Sequence, residues 1–63
     1  SKMFRRSLYI AEDINKGEVL TSDNLRIIRP GFGLEPKYID ILLGRKVNKA
    51  LKRGERMSWD YIG

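Results

Sequence analysis

The sequence predicts a mainly β fold made of two pseudo-symmetric halves, each a pair of short strands followed by a short helical turn. Three observations lead there. Sliding the chain over itself by 37 positions aligns Ile10 with Val47, Ile14 with Leu51, Leu20 with Met57 and Leu25 with Ile62, without a gap. The same offset lays Lys16-Gly17-Glu18 on Arg53-Gly54-Glu55, a glycine turn between two apolar runs in each copy. It also lays Thr21 and Asp23 on Ser58 and Asp60, a hydroxyl residue placed to cap a helical turn with an acid in that turn.

The elements follow in chain order. Ser1-Lys2-Met3-Phe4 has no pattern and, with Arg5 and Arg6, reads as residues 1–6 of linker end or expression remnant, which leaves residues 7–63 as the folded unit. Ser7 to Ile14 is the first strand, Asn15-Lys16-Gly17 its turn, Glu18 to Leu20 the return, and Thr21 to Asn24 a single turn. Next, Pro36 at a first helical position, apolar Ile39, Leu42 and Leu43, and Gly44 as terminator describe a short helix closing one end of the core. The second copy runs from Lys46 to Ile62. Neither half can bury its apolar residues alone, so they pack face to face around Leu8, Ile10, Ile14, Leu20, Leu25, Ile27, Val47, Leu51, Met57 and Ile62.

Composition removes most chemistries. With no histidine and no cysteine there is no imidazole base, no Ser-His or Cys-His nucleophile pair and no thiolate metal site, and no disulfide reinforces the fold. Neither catalytic nor metal-ligating residues are expected. Glu18 and Glu55 occupy matched places after their turns, and Asp23 and Asp60 matched places in theirs, so these acids read as structural. Asp13, Asp40, Glu12 and Glu35 lack the adjacent acid or base of a dyad. No apolar stretch approaches a membrane span or a signal segment, and a reducing, cytoplasmic setting fits the missing cysteines. Thirteen Lys and Arg against eight Asp and Glu give +5, spread along the chain. A solvated surface accounts for that charge better than a nucleic-acid face.

What stands out is Ile27-Ile28-Arg29-Pro30-Gly31-Phe32-Gly33. It is no phosphate loop: no third glycine follows two residues later and no Gly-Lys-Ser/Thr closes it. A turn needing positive φ is sufficient for Gly31 and Gly33. Proline disfavours helical backbone at the residue before it, which puts Arg29 on stiff extended chain. The plain reading is a surface arginine in a salt bridge. The functional one is a guanidinium held so that little entropy is lost when it binds a carbonyl, carboxylate or phosphate oxygen. Phe32, at the tip of the glycine turn, has less reason to be buried than Trp59 and Tyr61, which can cap the core.

The order Arg5-Arg6-Ser7-Leu8-Tyr9, Asp13-Ile14 with Lys16-Gly17-Glu18, Leu20-Thr21 with Asn24-Leu25-Arg26, Arg29-Pro30-Gly31 with Gly33, Pro36, and Leu43-Gly44 resembles the C-terminal antifreeze-like domain of bacterial sialic acid synthases. The resemblance covers the chain from about Arg5 onward. It implies a β-clip fold of the SAF type, related to type III antifreeze protein. It also implies a lid joined by a linker to a TIM barrel, where a divalent metal, Mn or Mg, assists the condensation of phosphoenolpyruvate with N-acetylmannosamine or a related sugar. No cofactor is implied for the lid itself.

In that family the homodimer is domain-swapped, each lid covering the barrel mouth of the other subunit, and the arginine of the Arg-Pro-Gly motif reaches the acceptor sugar. The resemblance thus assigns sugar binding to Arg29, with Pro30, Gly31, Phe32 and Gly33 supporting it. A chain one-third charged departs from the flat, largely uncharged ice-binding surface of the antifreeze relatives. Two alternatives remain. One is a SAF domain from an appendage-assembly chaperone or an altronate-type dehydratase, expected to lack the Arg-Pro-Gly-x-Gly context; the other is a small basic nucleic-acid-binding module. The acceptor sugar and the tasks of Arg6 and Arg26 stay open.

Overall fold

Strand β1 (Ser7–Ile10) is buried along its whole length. It pairs antiparallel with β2 (Leu25–Ile28), setting Ser7 opposite Ile28 and Ile10 opposite Leu25. On its other edge, the Leu8 amide donates to Leu34 O, and the Met57 amide donates to Leu8 O. A strand bonded on both edges and covered on both faces is buried at every position, so in Ser-Leu-Tyr-Ile the alternating hydroxyls meet protein and not solvent. These relations come from a computed structural model, which describes residues 5–63; the expected remnant at residues 1–4 lies outside them.

The repeat is present in the hydrogen bonds themselves. Ile14 and Leu51, equivalent positions of the two copies, exchange amide-to-carbonyl bonds of 2.8 Å in both directions and so sit across the pseudo-twofold axis. Around them the pairs repeat. The Ile10 amide donates to Glu55 O as Val47 does to Glu18 O, the Leu20 amide to Arg45 O as Met57 does to Leu8 O, and the Ala11 amide to Asn24 O as Asn48 does to Tyr61 O. Each half therefore completes the other's backbone ladder, as face-to-face packing requires.

Gly17 and Gly54 turn at φ of +89° and +94°, with open space where a Cβ would stand. Each is followed by a glutamate whose carboxylate takes the amide at the start of the turn, Glu18 from Asn15 and Glu55 from Lys52, so the repeated acids are structural. Gly17→Ala and Gly54→Ala should each destabilise by about 1 kcal/mol, since only left-handed backbone is at stake. Equal shifts in urea midpoint would confirm that the turns are equivalent; a much larger loss at one would not.

Between the copies, Pro36–Tyr38 form a 3-10 turn that runs into the helix α1 (Ile39–Leu42), and Gly44 at φ +86° ends it with its amide on Leu20 O. The expected short helix is thus one tight turn followed by one α turn. Leu42 is fully buried and plugs the end of the core, while Ile39 packs against it and Leu43 is exposed. Ser58 caps a last 3-10 turn (Trp59–Tyr61) by accepting from the Asp60 amide, and Thr21 accepts from Asp23 in the equivalent place.

Three expectations need correcting. The first strand stops at Ile10 and the chain bends at Glu12, so that Ile14 leaves β2 and reaches Leu51 in the other copy. Ile27 is 40% exposed rather than core, because among the described residues β2 pairs on one side only, and of this edge strand only Leu25 is buried. Ile62 is only partly buried, and Leu42 and Tyr9 take places in the interior.

Candidate functional site

The loop after β2 lies across one face of β1. Ser7 and Tyr9 share that face, while Leu8 and Ile10, one residue out of phase, enter the core. The loop is fastened to the first pair by side-chain hydroxyls. Tyr9 donates to Pro30 O at 2.6 Å, and Ser7 Oγ donates to the same carbonyl at 3.2 Å while accepting from the Gly33 amide at 3.0 Å. The Phe32 amide also points to Pro30 O, at 3.0 Å.

This contact explains the glycines differently from the sequence expectation. Neither Gly31 nor Gly33 has positive φ. They are small because the loop presses on β1 and on the chain leading into it: a Cβ on Gly33 would stand 2.5 Å from Leu8 O, and one on Gly31 2.6 Å from Arg5 Cβ. Close approach of backbone to backbone is the second ordinary reason for glycine.

Arg29 sits at the junction of β2 and this loop, before a cis peptide to Pro30. Its side chain is exposed, and no carboxylate lies within ion-pair distance of it among the described residues, so the plain salt-bridge reading is not realised. Phe32 is 51% exposed, at the crest between two open clefts. One, of about 550 Å³, brings Arg5, Arg6 and Arg56 together against the Gly31 to Gly33 backbone; Glu35 stands there too, but its carboxylate faces Lys37 at 3.8 Å. The other, of about 470 Å³, continues past Arg56 to Trp59 and Tyr61. Trp59 is 44% exposed and meets Tyr38 edge to face at 5.3 Å, so it covers the helical turn and not the core.

Sequence reasoning found Arg29 and its loop but not the convergence of Arg5, Arg6 and Arg56. One signal was available: the repeat sets Arg56 on Val19, so a cation replaces an apolar residue where the rest of the motif is kept. Arg26 lies on β2 opposite Tyr9, exposed and away from that cleft's lining. Asp13 accepts from the Arg53 amide and joins the two copies. Among the described residues no group of three or more metal-ligating side chains gathers, and no helix is long and apolar enough to cross a membrane.

The SAF domain model matches residues 5–62. The chain belongs to the SAF domain family. Among curated proteins it is 44% identical over 57 residues to a pseudaminic acid synthase of Campylobacter jejuni, covering 90% of this chain and 17% of that enzyme. The pseudaminic acid synthase of Helicobacter pylori is 44% identical over 61 residues, 97% of this chain and 18% of the enzyme. An N,N'-diacetyllegionaminic acid synthase of Legionella pneumophila is 30% identical over 60 residues, 95% of the chain and 17% of the enzyme. This SAF domain thus spans less than a fifth of the length of the curated relatives it matches.

Solved structures agree on the fold. The spore coat polysaccharide biosynthesis protein spsE of Bacillus subtilis superposes with a TM-score of 0.88 at 27% identity, over 98% of this chain and 18% of its own. An antifreeze protein like domain from the human N-acetylneuraminic acid phosphate synthase gene superposes with a TM-score of 0.84 at 23% identity, over all of this chain and 80% of its own, and bears on the fold alone. The mainly β, antifreeze-like architecture is therefore the fold, and the chain is a SAF domain of the kind carried by sialic-acid-type synthases.

Proposed function

We propose that this SAF domain caps the active site of a nonulosonate synthase of the pseudaminate type, with Arg29 reaching the acceptor sugar held in the barrel of the partner subunit. The observation that carries the reading is the 44% identity to two pseudaminic acid synthases over nearly the whole chain, against 30% to the legionaminate enzyme. An exposed Arg29 with no ion-pair partner among the described residues, at the start of a loop fastened to β1, supports it.

The full enzyme would join phosphoenolpyruvate to an amino sugar by a carbon-carbon bond, as a cytoplasmic homodimer. In a TIM barrel the active site opens at the C-terminal face, where solvent has access. A lid placed there excludes water, and a guanidinium fixed on it orients the acceptor through its acetamido oxygen. The divalent metal, Mn or Mg, would be held in the barrel and would polarise a reacting oxygen. This chain's part is binding and orientation.

The test is made in the full-length synthase. Arg29→Ala should lower kcat/KM for the acceptor by roughly 10- to 100-fold, the effect of losing one charge-assisted hydrogen bond, and leave KM for phosphoenolpyruvate unchanged. Arg29→Lys should recover only part, because a point charge cannot reproduce the planar fork. Unimpaired turnover by Arg29→Ala would refute the capping role. Turnover of N-acetylmannosamine in preference to the pseudaminate precursor would refute the assignment of acceptor.

A further inference from the structure

We infer that Tyr9 and Ser7 are positioning residues for Arg29, acting through the carbonyl of Pro30; the inference rests on the capping role proposed above. Tyr9 is 8% exposed and Ser7 1%, and among the described residues Ser7 is the polar side chain that the core buries. Packing alone does not call for either oxygen. A phenylalanine would fill the space of Tyr9, and an alanine that of Ser7, without bringing a polar group that must then be satisfied.

Both hydroxyls are spent on one loop. The Tyr9 bond of 2.6 Å and the Ser7 bond of 3.2 Å converge on the carbonyl of the residue that directly follows Arg29, and Ser7 takes the Gly33 amide at the loop's far side. Since a carbonyl oxygen has two lone pairs and the Phe32 amide also approaches it at 3.0 Å, Pro30 O is fully engaged. The backbone leaving Arg29 is thereby fixed in two directions, along β2 by its pairing with β1 and across β1 by the hydroxyls. A guanidinium carried on such a base loses less freedom on meeting a ligand than one on a free loop.

The register makes the arrangement specific. Tyr9 pairs with Arg26 and Ser7 with Ile28, so β1 presents both hydroxyls under the exit of β2. The pseudo-symmetry sets Tyr9 on Lys46, which has no hydroxyl, so the clamp belongs to one copy only.

A double-mutant cycle in the full-length synthase tests this, with Tyr9→Phe and Ser7→Ala each made with and without Arg29→Ala. Tyr9→Phe should raise KM for the acceptor and lower kcat/KM by roughly fivefold, with KM for phosphoenolpyruvate unmoved, and should have almost no further effect once Arg29 is alanine. Ser7→Ala should behave alike, which keeps the test open if one variant folds poorly. The same factor lost in both backgrounds, or no loss in the Arg29 background, would overturn the inference while leaving the capping role intact. An Arg29→Ala enzyme with normal turnover would instead overturn the capping role, on which this one depends.

Discussion

Replacing Gly33 by alanine is expected to destabilise the domain by at least about 3 kcal/mol and to leave much of it unfolded at 37 °C. The added methyl would stand 2.5 Å from Leu8 O and 3.2 Å from the Met57 amide nitrogen. Both are backbone atoms, and the two residues are joined to each other by the Met57 amide bond to Leu8 O, so neither can yield without opening the ladder beside β1. A core of this size seldom leaves more than about 3–5 kcal/mol in hand. Gly17→Ala is the control, since nothing lies within 4 Å of that position. Urea unfolding of both variants decides it. A smaller loss at Gly33 than at Gly17 would mean that the loop does not depend on its contact with β1.

The second large effect is expected at the pseudo-twofold axis. Leu51→Ala should cost about 3 kcal/mol or more through lost transfer energy and the cavity it leaves, enough to abolish a cooperative thermal transition. Leu51 is 1% exposed and Ile14 2%, and their reciprocal backbone bonds hold the halves together, so no outer layer is free to collapse into the gap. Ile14→Val, removing one methylene at the paired position, should cost only about 1 kcal/mol and keep the transition sharp. Near-ultraviolet circular dichroism, which follows the packing of aromatics such as Tyr9 and Tyr61, is the suitable probe. A sharp transition in Leu51→Ala would show that the halves are stable without their shared centre.

Much of this was legible because the fold is written twice. Ile14 and Leu51, Gly17 and Gly54, Thr21 and Ser58 reveal in one copy what is uncertain in the other; the first two pairs are equivalent in their backbone bonds, and Thr21 and Ser58 share the bond from the acid two residues on. Positions without a counterpart were harder. Ile27 is as apolar as a core residue, yet it lies on an edge strand with one partner, which periodicity does not encode. Tyr9 is buried because the loop from Pro30 to Gly33 crosses it, a contact between segments far apart in sequence. For the same reason Arg29 and its glycines could be picked out, whereas the meeting of Arg5, Arg6 and Arg56 could not.

The Ile14–Leu51 axis has a bearing on how such a protein could arise. Two identical short peptides, related as these halves are, would already satisfy the paired ladder as an assembly of equals, and tandem fusion of their coding segments would make one chain of it. Fusion doubles every strand and every turn but creates a single joint. Here the joint holds Arg29, the Gly31 to Gly33 loop and the helix α1, so the segment that has no counterpart in the repeat is also the one that duplication left unconstrained.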